Sequence, residues 1–246
     1  MKSFYYPLIL SFLASISTLF GFLFIFIPRK YENSIIGFSF SFAAGVMFCV
    51  SCFSLLPEAF SYLSYLPLFN ISIVFLSFWF GIILAFFVHK FLNNKFSYDL
   101  HRIGIFSFIS LLLHNIPEGI LSFITSSYDI RLGLSIVIAI MFHNIPEGIL
   151  ISIPIYYGFN DWKKAFLLTL IAGFSEFFGS IIASFFFTTI PLCCFSILLS
   201  ITAGIMIYLS FFELIPDAFS YKNESFIIPT FIFGMIIMIF CFILLK

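Results

Sequence analysis

Charged side chains are scarce in this sequence. Lysine and arginine together number 11, as do aspartate and glutamate, so 9% of the 246 residues are charged and the net charge is zero. An ordinary soluble domain has about 25% charged and about 45–50% apolar residues, whereas 62% of this chain is hydrophobic. A soluble fold cannot bury that much apolar surface. The sequence therefore predicts a protein surrounded by the lipid bilayer, and nothing in its charge indicates a nucleic-acid partner.

The chain also lacks the alternating pattern of a membrane-spanning barrel. In hydrocarbon every backbone hydrogen-bonding group needs an internal partner, which leaves helices or a closed barrel. Barrel strands are alternating segments of about 10 residues, but the apolar runs here are continuous and about 20 residues long, as a spanning helix requires. We predict an all-α, polytopic membrane protein in which residues 1–246 form one transmembrane domain. The eight predicted helices cover about 5–27, 35–57, 71–90, 103–125, 132–156, 164–190, 194–218 and 226–245.

Basic residues are distributed unequally between the two sides of this topology. Cytoplasmic loops carry an excess of lysine and arginine when the loops are short. The connections after the first, third, fifth and seventh helices carry Arg29, Lys30, Lys90, Lys95, Arg102, Lys163, Lys164 and Lys222. The opposite side carries Lys2, Arg131 and Lys246. This asymmetry predicts that both termini are extracytoplasmic, in either the plasma membrane or an organelle membrane.

Two sequence repeats run through the chain. Residues 43–62 (AAGVMFCVSCFSLLPEAFSY) resemble residues 202–221 (TAGIMIYLSFFELIPDAFSY), and HNIPEGIL occurs at both 114–121 and 143–150. In the predicted topology the second helix runs outward and the seventh inward, and the fourth and fifth are likewise opposed. The repeats are therefore inverted, in a 3+2+3 arrangement. Inverted repeats are typical of carriers that bind their substrate near the membrane midplane.

Ionisable side chains recur at one depth in three of the predicted helices. His114, His143 and Glu176 each lie 12 residues after the basic residue that begins their helix. This is about 18 Å along the helix axis, close to the middle of a hydrocarbon core of about 30 Å. Glu118 and Glu147 follow the two histidines, and no lysine or arginine lies at this level. Because each unpaired carboxylate there costs about 2.5–3.5 kcal/mol, the pattern predicts a bound cation.

Helical geometry fixes how each HNIPEG motif presents its ligands. At about 100° per residue, Asn115 lies about 100° and Glu118 about 40° from His114, so the glutamate points between the other two. The fifth helix repeats this pattern with His143, Asn144 and Glu147. Two bridging glutamates are then expected to hold two ions, one coordinated by both histidines and the other by both asparagines. Imidazole with carboxylate suits Zn²⁺ and Fe²⁺, whereas oxygen ligands are less selective, and Glu176 is expected to complete the oxygen-rich site.

At these residues the sequence resembles the ZIP family of divalent-metal transporters, and most closely the bacterial ZupT type, which carries HN-x-PEG in both the fourth and the fifth helix. The resemblance covers essentially the whole chain. It implies a binuclear centre at His114, Asn115, Glu118, His143, Asn144, Glu147 and Glu176. It also implies transport of Zn²⁺, and of Fe²⁺, Mn²⁺ or Cd²⁺, toward the cytoplasm, no cofactor beyond these transported ions, and commonly a homodimer. The chain departs from the family at Phe177, where related members often have proline. The resemblance therefore does not predict whether the sixth helix bends at this position.

Three further acidic residues border the predicted pathway. Glu58 and Asp217 occupy matching positions of the longer repeat and, by topology, lie at the outer and inner mouths. They are predicted either to stage ions at entrance and exit or to be solvated charges at helix ends. Glu213 has Ser54 as its repeat counterpart. It lies deeper, and is the better candidate for lining the inner pathway.

Two other functions use the same kinds of residue. Histidine, glutamate and a bound metal can activate water, as in an intramembrane metal-dependent hydrolase. The HExxH motif of zinc peptidases is absent, however, and an inverted pair of motifs favours access from both sides. A metal receptor would bind the ion without passing it across. The sequence therefore favours a transporter that is not an enzyme.

Overall fold

The chain folds into helices. The computed structural model describes residues 5–28, 31–62, 67–93, 100–128, 130–186, 191–221 and 224–244, and within these ranges it contains no β-strand, so the predicted all-α class is confirmed. The α-helices are α1 Tyr5–Phe22, α2 Glu32–Val50, α3 Leu56–Ser61, α4 Pro67–Asn93, α5 Leu100–Tyr128, α6 Ile130–Phe159, α7 Trp162–Phe186, α8 Leu192–Leu209, α9 Ile215–Tyr221 and α10 Glu224–Leu244. A 3-10 turn, Leu23–Phe26, follows α1.

Eight helical segments of the described chain are long and apolar enough to cross a membrane, as predicted. Six of them are formed by α1, α4, α5, α6, α7 and α10. The second segment joins α2 to α3 and the seventh joins α8 to α9, each through a π-turn. The fourth, expected over about 103–125, is Leu100–Tyr128, because the polar residues that flank the apolar run continue the helix. The predicted ends near 190 and 245 lie outside the described residues.

The two π-turns occupy matching positions of the longer repeat. They are Ser51–Leu55 and Ser210–Leu214, and Pro57 and Pro216 follow two residues later. Proline cannot donate the helical hydrogen bond, and its ring crowds the carbonyl four residues earlier. A wider turn just before it accommodates both effects. Both helical segments therefore continue past the ends predicted near 57 and 218.

The helices form two groups that pack side by side. α1, α5, α6 and α7 pack on one another, and α2, α4, α8 and α10 form the second group, with α2 also against α6 and α8 against α5. In the first group α1 and α7 are antiparallel, since the ring of Phe12 lies against Phe177 and that of Phe22 against Phe166. The first group contains both HNIPEG motifs.

Glycines bring the helices of the first group into backbone contact at related positions. A Cβ on Gly21 of α1 would overlap the carbonyl oxygen of Ile145 on α6, and a Cβ on Gly179 of α7 would overlap that of Ile116 on α5. Ile116 and Ile145 are the same position of the two HNIPEG motifs. α1 therefore packs on the second motif as α7 packs on the first.

The outer surface of the helices is apolar and aromatic. In the 18-residue apolar stretch that identifies each spanning helix, only 17% is buried in α4 and 28% in α10. Exposed rings include Trp79, Phe87 and Phe240. Polar side chains such as Ser122 and Thr169 are instead fully buried. Apolar side chains therefore fill the interior and also cover the surface, whereas a water-soluble fold buries most of its large apolar side chains and exposes charged ones.

Candidate metal centre

The two HNIPEG motifs face each other between α5 and α6, and each histidine pairs with the glutamate of the other motif. His114 Nε2 lies 3.0 Å from Glu147 Oε1, and His143 Nε2 lies 3.1 Å from Glu118 Oε2. The side chains of all four are at most 4% exposed. These contacts between antiparallel helices place the four residues in one buried cluster.

Three of these side chains are spaced to hold one cation. One ligand atom each from Glu118, His143 and Glu147 lie within 4.8 Å of one another. Carboxylate and imidazole ligands bind Zn²⁺ at about 2.0–2.2 Å, so a small closure of this triangle brings all three into contact with one ion. His114 lies beside the group through its contact with Glu147.

The two asparagines are held by backbone carbonyls of neighbouring helices. Asn115 Nδ2 donates a hydrogen bond of 3.0 Å to the carbonyl of Ala172 on α7, and Asn144 Nδ2 donates one of 3.0 Å to that of Ala14 on α1. Each amide oxygen, Oδ1, is buried with no hydrogen-bond donor. An amide oxygen is an acceptor only, so both are suited to bind a cation.

Glu176 joins the cluster from α7. Its side chain is fully buried and accepts a hydrogen bond of 2.7 Å from Asn144 Nδ2. A Cβ on Gly119 would overlap the Glu176 carbonyl oxygen, so the glycine that follows Glu118 allows α7 to lie this close. α7 runs without interruption through Phe177. The third carboxylate therefore reaches the second asparagine from a continuous helix.

Buried oxygens without a hydrogen-bond donor are concentrated in this cluster. Besides the two amide oxygens, they include one carboxylate oxygen each of Glu118, Glu147 and Glu176. An unsatisfied buried acceptor costs about 1–3 kcal/mol, and more when it is charged, so native structures contain few of them. Three carboxylates also outnumber the two histidines, His114 and His143, even when both are protonated. A divalent cation would supply the missing charge and the missing partners together.

α1 also contributes to the cluster, which the sequence did not predict. Its Ala14 carbonyl holds Asn144, and the carbonyl of Thr18 occupies the space that a Cβ on Gly148 would need. A signal was present, because small residues recur every three or four positions along one helix face, as they do where membrane helices approach closely. These residues are Ser11, Ala14, Ser15, Thr18 and Gly21.

The three acidic residues predicted along the pathway are not part of the cluster, and they differ in burial. Glu58 is half-buried and accepts a hydrogen bond of 3.3 Å from the hydroxyl of Tyr62. Glu213 and Asp217 are each only 2% exposed. The burial of Asp217 disagrees with the alternative in which it is a solvated charge at a helix end.

Glu213 has a histidine partner that the sequence did not indicate. Its Oε2 lies 3.0 Å from His89 Nδ1 on α4, and the hydroxyl of Tyr208 lies 3.0 Å from the same nitrogen. Glu213 lies within the second π-turn. Because the pair joins helices that are far apart in sequence, no local spacing predicts it.

Comparison with known proteins identifies the family. A family model described as ZIP zinc transporter matches residues 97–242, which include both HNIPEG motifs and Glu176. The chain belongs to the ZIP family. The zinc transporter ZupT of Streptococcus mutans is 33% identical over 94% of each chain. ZupT of Chlorobium luteolum is 32% identical over the full length of both chains, and ZupT of Oceanobacillus iheyensis is 43% identical over 60% of this chain and 56% of its own.

The resemblance predicted from the paired motifs is therefore confirmed. As a member of the ZIP family, the chain is an integral multi-pass membrane protein that transports divalent metal and is not an enzyme. The hydrolase alternative is not favoured. In this ZIP protein the buried group of Glu118, His143 and Glu147 offers a metal-binding set between two of the spanning helices.

Proposed function

We propose that this ZIP family member transports Zn²⁺ toward the cytoplasm through a binuclear site at the middle of the membrane, with Fe²⁺, Mn²⁺ and Cd²⁺ as further substrates. The observation that carries the proposal is the group of five buried oxygens without donors beside two histidines. The ZupT relatives, which are named as zinc transporters, support zinc as the main substrate.

The two ions are assigned to two unlike sets of ligands. The first set is Glu118, His143 and Glu147 with His114 beside them, and the second is Asn115, Asn144 and Glu176. The glutamates of the two motifs, Glu118 and Glu147, belong to the first set and bridge its ion to the second ion. Imidazole in the first set favours Zn²⁺, whereas the second set consists of oxygens and accepts harder ions. The first site therefore selects the metal, and the second tolerates several.

Access from both sides of the membrane is attributed to the inverted 3+2+3 repeat. Matched contacts support this repeat: Asn115 bonds to Ala172 as Asn144 bonds to Ala14. The paired π-turns support it as well. A site enclosed by equivalent helices is reached from either surface by equivalent movements.

The direction of transport rests on the proposed orientation, with both termini extracytoplasmic. Glu58 then lies at the outer mouth, and Glu213 and Asp217 lie on the inner route, where buried carboxylates attract a cation leaving the centre. Part of the charge asymmetry is carried by Lys90, Arg102, Arg131, Lys163 and Lys164, which the structure describes. The remaining basic residues, Lys2, Arg29, Lys30, Lys95, Lys222 and Lys246, lie outside the described residues. Labelling of a Tyr5→Cys variant in intact cells by an impermeant thiol reagent, with the five native cysteines replaced by serine, tests the orientation.

Flux into proteoliposomes tests the function. We expect the protein to accumulate labelled Zn²⁺. We expect Glu118→Gln and Glu147→Gln to reduce the rate by at least about tenfold, since replacing even a residue that only hydrogen-bonds to a metal ligand typically lowers metal affinity or activity by that factor. Asp161→Asn is the matched control, because this carboxylate caps the start of α7 through the amides of Lys163 and Lys164. Binding without accumulation would identify a receptor. Full flux in both glutamine variants would refute the site assignment.

The family resemblance further suggests a homodimer, whether the protein resides in the plasma membrane or in an organelle membrane. The mass of the protein in lipid nanodiscs, measured over a tenfold range of dilution, distinguishes a stable dimer from a monomer. A competition series of Zn²⁺, Fe²⁺, Mn²⁺ and Cd²⁺ in the same liposomes ranks the substrates.

A further inference from the structure

A cavity of about 430 Å³ lies between the two helix groups, beside the metal centre. Its walls come from α2 and the first π-turn on one side, from α5 and α6 on the other, and from α10. Its lining is hydrophobic except for Ser54, Glu118 and His143. The volume falls in the range of about 300–1,000 Å³ that is typical of small-molecule sites. The cavity is therefore large enough for a ligand, and its chemistry is that of hydrocarbon.

The mouth of this cavity faces the bilayer. Phe53 and Ile243 line it and are 59% and 67% exposed, and both belong to membrane-spanning segments. Met238 and Ile140 line it as well but are 1% and 4% exposed. The cavity therefore begins at an apolar surface in contact with lipid and ends inside the protein at Glu118.

Water is a poor occupant of this space. A buried water needs two to four polar partners, and most of the wall offers none. An empty cavity is also unfavourable, because the atoms that line it lose their dispersion contacts. Acyl chains are the neighbouring apolar molecules at this depth, and an inserted chain restores those contacts.

We propose that the acyl chain of a bilayer lipid occupies this cavity and covers the Glu118–His143 side of the metal centre. While the chain is in place, neither water nor a hydrated ion reaches these two ligands through the cavity. The bound lipid therefore blocks access to this face of the site reversibly. Occupancy of the cavity by lipid depends on its lining and its mouth, and not on which metal is transported.

Photolabelling from the bilayer tests the proposal. The protein is reconstituted in phosphatidylcholine vesicles containing a phosphatidylcholine with a diazirine at the end of one chain, irradiated, and mapped by peptide mass spectrometry. Label on Met238 reports a chain inside the cavity, because this side chain is only 1% exposed. Label on Phe240, which lies on the same helix and is 57% exposed, reports ordinary contact with lipid.

Two tryptophan variants of α6 provide the comparison. Ile136 lines the cavity, whereas Ile138 is 37% exposed and does not line it. We expect Ile136→Trp to reduce the Met238 label at least about fivefold, which corresponds to roughly 1 kcal/mol less favourable binding of the acyl chain in the partly filled cavity. We expect Ile138→Trp to leave the label unchanged. Ala139→Phe, which fills the same space, guards against misfolding of Ile136→Trp, and the Phe240 label must persist in every variant. Absence of the Met238 label in the wild type, or equal Met238 label in filled and control variants, would overturn the proposal.

Discussion

The contact between Gly119 and Glu176 makes a sharp prediction for Gly119→Ala. The new methyl group would overlap the Glu176 carbonyl oxygen, whereas ordinary contacts of a Cβ begin near 3.4 Å. A backbone carbonyl in a continuous helix cannot rotate away from the methyl group. α5 and α7 must therefore separate, and we estimate the movement at more than about 1 Å.

The magnitude of the effect follows from what this movement disturbs. Overpacking costs about 1–3 kcal/mol. If α7 also moves away from α6, the hydrogen bond of 2.7 Å between Asn144 and Glu176 breaks, which removes a further contribution of about 0.5–1.5 kcal/mol. A displaced ligand or supporting residue typically weakens metal binding about 10–100-fold. We expect Gly119→Ala to weaken binding of the second ion by that factor while the first ion is affected less.

Calorimetric titration of Zn²⁺ in detergent, with flux in proteoliposomes, measures this prediction. Gly158→Ala, near the end of α6, is the control, because the nearest atom to its Cβ would be the His101 backbone nitrogen at 3.2 Å, so little movement is needed. Gly148→Ala tests the related contact with Thr18 of α1 and should behave like Gly119→Ala. Binding and flux at wild-type levels in Gly119→Ala would show that the close approach of α7 does not set the metal site.

Three further substitutions test other contacts. Asn144→Leu removes the amide that holds Glu176 and should weaken Zn²⁺ binding at least about tenfold in the same titration; unchanged affinity would make the contact purely structural. Glu213→Gln removes the charge beside His89 and should lower flux without changing affinity at the centre, so unaltered flux would exclude Glu213 from the route. Pro216→Ala restores a backbone donor, lets the second π-turn return to an α-helix, and turns Glu213 by about 100°. It should lower flux as Glu213→Gln does, with slower hydrogen exchange in that turn as the structural measurement.

Features that depend on local sequence were predictable. Continuous apolar runs of about 20 residues predict spanning helices because the hydrocarbon core has a fixed thickness. The common spacing of His114, His143 and Glu176 from the start of each helix predicts a common depth because the helical rise is constant. Those side chains do meet in one buried group, together with the two glutamates of the motifs.

Features that depend on packing between distant segments were not predictable. Each histidine faces the glutamate of the other motif, and this depends on the relative axial position of α5 and α6. His89 on α4 meets Glu213 in the second π-turn although the two residues are more than 100 positions apart in the sequence. Proline at 57 and 216 suggested helix ends, whereas both segments remain helical through a π-turn just before each proline.

The unsatisfied oxygens of the metal centre also affect how the stability of this protein is measured. A ligand that binds only the folded state stabilises it by mass action, by about 2.7 kcal/mol at a hundred times its dissociation constant. Asn115 Oδ1, Asn144 Oδ1 and Glu176 Oε1 are buried without a hydrogen-bond donor and are suited to bind the cation, so chelator in the buffer removes that contribution. The same substitution will therefore lower the melting temperature by different amounts in chelated and in metal-replete samples. Comparisons among variants are meaningful only at a fixed free metal concentration.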